Sequence, residues 1–320
     1  MLQDFTIALQ LNPRFQPYFY RLKHFLTVVK NRKCFTEKED KSANFLFIVG
    51  CGRSGNTLLR KILIEQFDIY LPPETYVLPQ QINQYSVNTG LRWPERVDTT
   101  LCILENHSEF ETFNVKSFAD FKAMAKNWPE DNQTFVELVK GLYRWLGNQH
   151  DVPCQWVGDK TPLNTLNLGL LNWAFPNAKF IYLERDPVDV VQSYLNAGIY
   201  KTASEAAERW RNSVRSWESF KKLKMNKDFL EFKYEKFVVN PEELIEKISD
   251  SFFIPKRKIK IKLSNLQLGD VGVRDHHSNV PDAPSSKAIG KGRKNISAEN
   301  LDAMLSVLGE LPQKRGYEKL

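Results

Sequence analysis

Residues 45–50, Phe-Leu-Phe-Ile-Val-Gly, form an apolar run closed by glycine, and the next seven, Cys51-Gly52-Arg53-Ser54-Gly55-Asn56-Thr57, are polar and glycine-punctuated. Leu58, Leu59, Ile62 and Leu63 then recur at helical spacing. The order predicts a strand buried on both faces, a tight loop and a helix. A strand that does not alternate apolar with polar belongs in a parallel sheet covered on both sides. The start of a helix leaves backbone N–H groups without carbonyl partners and carries a partial positive charge, so a glycine-rich loop feeding it suits a phosphate-like anion. Gly50, Gly55 and Thr57 keep the spacing of the triphosphate loop G-x-x-x-x-G-K-[ST], but Asn56 stands at the Lys position and the cation comes earlier, at Arg53. A triphosphate kinase is disfavoured. An ordinary βα turn shares this pattern and stays open at this point.

A second segment has the same build. Lys179-Phe-Ile-Tyr-Leu-Glu184 reads as a buried strand, followed by Arg185-Asp186-Pro187 and a helix carrying Ser193 and Tyr194, with Pro187 near the helix start, where a missing N–H costs least. A phosphate needs a fixed bidentate cation, which Arg supplies better than Lys, and a hydroxyl from the helix can converge on it. Gly50 to Leu59 resembles the 5′-phosphosulfate loop of sulfotransferases that use 3′-phosphoadenosine 5′-phosphosulfate (PAPS), in the G-x-P-R-S-G-T-T-L form of the tyrosylprotein sulfotransferases and related carbohydrate and bacterial enzymes. Cys51-Gly52 replaces x-Pro, and Asn56 replaces the first Thr. The second segment resembles the 3′-phosphate motif of that superfamily, strand-R-D-P-x-D-x-x-x-S, with Arg185 and Ser193 eight residues apart. The resemblance implies that Arg53, Ser54, Gly55, Asn56, Thr57, Arg185 and Ser193 bind PAPS and its product 3′,5′-ADP.

It extends to candidate chemistry. Leu71-Pro-Pro-Glu74-Thr-Tyr-Val-Leu-Pro79 resembles the G-E-E-T-R-I-I-P segment whose Glu before Thr is the catalytic base, and Glu74 follows Arg53 by twenty-one residues, as in the family. Sulfuryl transfer to a hydroxyl needs such a base. Lys160, in Gly158-Asp159-Lys160-Thr161-Pro162, resembles the Lys that stabilises the transferring group, a task Arg53 can share, because a preplaced cation helps most where charge develops. Leu230 to Pro241 resembles the V-x-Y-E strand and turn, in which Tyr234 helps hold the nucleotide. Ser286-Lys287-Ala288-Ile289-Gly290-Lys291 resembles the S-K-W-x-G-K loop, with Lys287 as a phosphate ligand and Ala288 where the family has an aromatic. Ser278 is the nearest candidate for the serine that stabilises the transition state. No metal is implied.

The expected fold is α/β, a P-loop-containing, nucleotide-hydrolase-like three-layer architecture with a central parallel sheet flanked by helices. It is expected in two parts: an N-terminal amphipathic helical extension over residues 1–40, and a sulfotransferase domain over 41–320 with an acceptor-facing helical insertion at about 80–150. In the extension Phe15, Phe19, Leu22, Leu26 and Val29 recur at steps of four and three beside basic residues. Docking on its own domain is favoured over pairing in a homodimer or contact with a membrane surface. Residues 80–100 read as polar and turn-rich, 118–124 and 135–146 as helical, and 203–223 as a long helix burying Trp210, Val214 and Trp217. Helices are also expected from Asn240-Pro241 to about Ile254 and over 298–308, whereas the Lys-rich stretch 256–262 alternates with Ile and reads as an exposed strand.

The net charge of +7 suits a polyanionic cofactor, yet no nucleic-acid-binding motif accompanies it. Cys34, Cys51, Cys102 and Cys154 are scattered, implying neither a zinc site nor a disulfide framework, and the adjacent His276 and His277 read as loop residues. No run approaches a membrane span and no signal-peptide core is present, so a cytoplasmic enzyme is expected. The partner is a hydroxyl-bearing acceptor. Tyr76 and Gln80 stand where the tyrosylprotein enzymes carry Arg, which counts against acidic peptides and favours a carbohydrate, lipid or small molecule, with Tyr76 as a stacking surface. A nucleotide or sugar kinase and a non-catalytic nucleotide-binding protein are the alternatives.

Overall fold

The computed structural model describes residues 44–88, 90–223, 228–257, 261–264, 269 and 285–318. The expectations for the N-terminal extension, Cys34, His276, His277 and Ser278 lie outside the described residues.

Strands β1 (Phe45–Gly50), β2 (Ile69–Tyr70), β3 (Trp156–Lys160), β4 (Lys179–Glu184) and β5 (Phe229–Lys233) form one sheet in the order β2-β3-β1-β4-β5, with every pair parallel. Helix α1 (Asn56–Gln66) follows β1. Helices α2 (Leu78–Val87), α3 (Trp93–Glu105), α4 (Ala119–Lys126) and α5 (Phe135–Gln149) fill the connection from β2 to β3. Helix α6 (Leu168–Ala174) precedes β4, and α7 (Pro187–Asn196) and α8 (Ala203–Leu223) lie between β4 and β5. After β5 come α9 (Tyr234–Val239), α10 (Pro241–Phe252), α11 (Lys291–Asn295), α12 (Ala298–Leu308) and α13 (Leu311–Lys314).

The uninterrupted apolar run of β1 takes the centre of the sheet, where all six of its residues are buried, while β5 lies half-buried at one edge. Phe47 stacks on Phe180 of the neighbouring strand at 5.1 Å, and Tyr182 stacks on Trp217 of α8 at 4.7 Å. Helix α8 has the expected span, and Trp210, Val214 and Trp217 are fully buried. Trp210 also donates its indole N–H to the Arg185 carbonyl at 3.0 Å, tying the long helix to the turn after β4.

Two local expectations are corrected. Residues 80–100 are largely helical: Leu78, Ile82 and Tyr85 bury one face of α2, and Trp93, Val97, Leu101 and Leu104 one face of α3. The intervening Gln, Asn and Thr dilute that period in the sequence, and the start of α3 is secured by Glu95, whose carboxylate accepts from the Arg92 backbone N–H at 2.9 Å and from its guanidinium. The stretch from 256 holds no strand among its described residues. Lys256 makes a lone antiparallel bridge to Phe67, and Arg257 turns inward to donate to the Ile64 carbonyl at 3.0 Å.

From β1 the chain crosses toward β2, and from β4 it crosses the other way toward β5. The carboxyl ends of these two adjacent strands therefore flank a crevice of the kind in which open parallel sheets bind ligands.

Candidate active site

The loop after β1 is built against its neighbours. Gly50 is clamped by Thr165, whose hydroxyl accepts from the Gly50 N–H at 2.8 Å and donates to its carbonyl at 2.9 Å. Arg53 sits at φ 67°, a left-handed backbone that costs a side-chain-bearing residue about 1–3 kcal/mol. Gly55 starts α1 at φ 90°, and a Cβ there would lie 2.6 Å from the Tyr234 ring, so the turn and the close approach both require glycine. Asn56 turns its amide back to the Cys51 carbonyl at 2.9 Å, which explains how a small polar residue replaces a lysine here: it braces the loop. Burial pushes the Cys51 thiol upward, keeping it neutral beside the Tyr194 hydroxyl.

On one side the loop meets the end of β3. The register pairs Ile48 with Lys160, two residues before Gly50. Lys160 is fully buried and donates to Thr57 Oγ1 at 3.1 Å and to Glu74 Oε1 at 2.6 Å. Glu74 is held there by its neighbour. Thr75 donates its hydroxyl to Asp159 at 2.7 Å and its N–H to Thr161 Oγ1 at 3.1 Å. Asp159 also accepts from Tyr143 and Asn164 at 2.9 and 2.8 Å; burial raises its carboxyl pKa, and the donated hydrogen bonds oppose that rise. Tyr76 follows at φ 59°, which aims its ring onto His107 at 5.3 Å with the planes 12° apart. Beyond that stack lies a groove of about 680 Å³ between α2 and α3, lined among others by Val77, Gln80, Gln84, Cys102 and His107. Gln84 Oε1 is buried there with no partner among the described residues. Asp98, also on the groove, is paired with Lys126 at 2.8 Å.

On the other side the loop meets the end of β4. Arg53 Nε donates to Ser193 Oγ at 3.1 Å, and Arg185 donates to the Arg53 carbonyl at 3.2 Å. Burial, more than the neighbouring Arg185, pulls the Arg53 guanidinium below its ordinary pKa, although arginine remains charged. The Arg185 guanidinium lies 4.5 Å above the Tyr234 ring, which underlies Gly55. Lys287 is exposed on a 3₁₀ turn (Ser286–Ala288), and the next residue's carbonyl accepts from Arg185 at 2.7 Å.

The expected residues thus gather in two adjoining clusters, Thr57 with Glu74 and Lys160, and Arg53 with Arg185, Ser193 and Tyr234. Thr165 and Asp189 were assigned no role from the sequence. Thr165 carries no signal that could have found it, whereas Asp189 is the second acid of the R-D-P-x-D pattern. In and beside this loop three buried polar atoms have no partner among the described residues, Ser54 Oγ, Asn56 Oδ1 and Arg185 Nε. The Ser54 hydroxyl and Arg185 Nε, with the amides at the start of α1, are donors of the kind that suits an anion.

Sheet order and loop define a P-loop-type α/β domain. The chain belongs to the sulfotransferase family, whose model matches residues 46–257. It is 24% identical over 279 residues to the protein-tyrosine sulfotransferase of Drosophila melanogaster, a match covering 83% of this chain and 47% of that protein. The chain therefore spans about half the length of that relative. Protein-tyrosine sulfotransferase A of Caenorhabditis elegans is 22% identical over 299 residues, covering 91% and 67% of the two chains. Among solved structures, the sulfotransferase domain of the Synechococcus PCC 7002 olefin synthase superposes with a TM-score of 0.56 at 22% identity, over 89% of this chain and 99% of that one. The sulfotransferase domain from the curacin biosynthetic pathway gives 0.54 at 19%, over 86% and 98%. Both share the fold.

Proposed function

We propose that the protein transfers a sulfuryl group from PAPS to a hydroxyl acceptor. The observation that carries this reading is the buried Lys160 ammonium held between Thr57 of the loop and the Glu74 carboxylate. A cation is thereby fixed beside a base at the edge of an anion-binding loop. Ser54, Gly55, Asn56 and Thr57 would hold the 5′-phosphosulfate, and Arg185 and Ser193 the 3′-phosphate, with Tyr234 and Lys287 completing the nucleotide site. Arg53 lies between the two ends and can serve either. PAPS supplies an activated sulfuryl group with 3′,5′-ADP as its leaving group. Glu74 accepts the proton of the attacking hydroxyl, and its partner Lys160 neutralises charge on the oxygen from which sulfur departs. The rest of the catalysis is positioning of an in-line pair. A kinase would need a cation where Asn56 instead braces the loop.

For the acceptor, Tyr76 and the groove beside it offer aromatic, amide and imidazole groups, and the carboxylate there is already paired. That lining favours an uncharged hydroxyl compound such as a carbohydrate, lipid or small molecule. Tyrosine in a peptide is the second reading, favoured by the names of the fly and worm relatives. The test is calorimetric titration with 3′,5′-ADP, ATP and 5′-AMP, followed by PAPS turnover on sugar, phenol and tyrosyl-peptide acceptors. Tight binding that depends on the 3′-phosphate is expected. A preference for ATP, or no nucleotide binding, overturns the proposal, and turnover only on tyrosyl peptides selects the second reading.

A further inference from the structure

The Arg-Asp-Pro-Val-Asp turn after β4 uses each of its charged side chains to hold a segment about a hundred residues away. Arg185 donates to the Ala288 carbonyl at 2.7 Å. Asp186 caps α7 through the Val188 N–H at 2.8 Å and, with its other oxygen, receives both Nε and Nη2 of Arg293 at 2.9 and 2.7 Å. Asp189 is 2% exposed, and its carboxylate accepts from the N–H groups of Gly290 at 2.9 Å and Gly292 at 2.6 Å and from Arg185 at 3.3 Å. The approach is close: a Cβ on Gly292 would fall 2.6 Å from the Asp189 Cα. A buried carboxylate needs every such donor in place, because removing them leaves an uncompensated charge in the interior. The same carboxylate therefore fixes both the 288–293 segment and the guanidinium of Arg185. Two nitrogens of that guanidinium are spent on protein oxygens, and Nε is buried without a partner among the described residues.

We propose that Asp189 is a positioning residue for recognition of the 3′-phosphate: it latches the 285–293 segment to Arg185, so that the segment bearing Lys287 and the phosphate-binding arginine act as one unit. Asp189 touches neither nucleotide nor acceptor and acts through Arg185 and through the backbone of Gly290 and Gly292. This role rests on the reading of Arg185 as the 3′-phosphate cation.

The test is Asp189→Asn in the full chain, with the nucleotide affinities measured by calorimetry and amide hydrogen exchange followed without nucleotide. The variant is expected to weaken 3′,5′-ADP by tenfold or more and 5′-AMP by less than threefold. Exchange over residues 286–293 should quicken while β1 and β4 keep their protection. In PAPS turnover, KM for PAPS should rise by more than kcat falls. Arg293→Met, which removes the fork to Asp186 and leaves Asp189 in place, should shift the same readouts in the same direction by a smaller factor, and it decides the matter if Asp189→Asn does not fold. Equal weakening of both nucleotides with general loss of protection would reduce Asp189 to a structural residue and overturn the proposal. Wild-type-like affinities would overturn it as well. If the unmodified protein binds no 3′,5′-ADP, the function reading fails together with the phosphate role, while the exchange experiment still decides whether the latch exists.

Discussion

Lys160 is the residue on which the proposed chemistry turns, because a fully buried ammonium needs partners and it has a carboxylate and a hydroxyl from two different segments. Removing one member of a buried ion pair commonly costs about 3–5 kcal/mol, so truncating Glu74 would confound catalysis with folding. Glu74→Gln keeps an oxygen for Lys160 while removing the proposed base. Transfer from PAPS is expected to fall by about two orders of magnitude or more, in the range of general-base losses, with 3′,5′-ADP binding retained. A variant that turns over like the parent would remove Glu74 as the base. Thr57, Lys160, Arg185 and Ser193 were legible in the sequence because each sits in a short contiguous motif, where spacing along the chain survives folding. Thr165 was not, since its hydroxyl meets Gly50 across 115 residues and nothing local marks it.

At the scale of elements, strand, loop and helix must keep one geometry for the two clusters to meet. Gly55 is the joint: it supplies the left-handed start of α1 and leaves room for the Tyr234 ring, over which Arg185 is stacked. Gly55→Ala is expected to destabilise the fold by about 1–3 kcal/mol through backbone strain, before any cost of moving the ring. It should also weaken 3′,5′-ADP, because the displaced ring carries Arg185. Urea unfolding with calorimetry measures both effects, and an alanine variant of parental stability and affinity would show that the loop relaxes freely. The long helix over 203–223 was readable from two tryptophans and a valine at helical spacing, all of which are buried. Helices α2 and α3 are masked in the sequence because polar residues fill about half of their positions and only Leu78, Ile82 and Tyr85 in α2, and Trp93, Val97, Leu101 and Leu104 in α3, mark the inner face. Residues 256–257 show the opposite failure, in which apparent alternation met no neighbouring strand and the chain was anchored through Arg257 instead.

Across the whole molecule, the sheet carries the loops proposed to bind the nucleotide, and the helical layer between β2 and β3 carries the groove, so the two must stay registered for Glu74 to face both. His150 is one of the pins. It caps the end of α5, its Nε2 bonds the Phe113 carbonyl at 2.9 Å, and its ring lies 6.2 Å from that of Tyr70 in β2. A carbonyl partner requires Nε2 to carry the proton in the neutral ring. Burial lowers the folded pKa below the ordinary 6.5, with the carbonyl bond opposing the shift and Arg60 adding to it. The unfolded chain therefore takes up a proton, near pH 6.5, that the native state refuses until lower pH. Stability from this group is fully present above that range and declines as the pH falls through it, levelling off below the folded pKa. His150→Gln keeps a donor for Phe113 and removes the titration. The fall in melting temperature between pH 7.5 and pH 5 should then be smaller in the variant than in the parent, whatever the carboxylates add to both. In the parent, hydrogen exchange over residues 110–118 and 145–152 should quicken at pH 5 before that of β1 and β4. Equal pH slopes in the two proteins would place the acid sensitivity elsewhere. If the slopes differ as expected, the helical layer loosens from the sheet first, and acceptor turnover is expected to be lost at a higher pH than binding of 3′,5′-ADP.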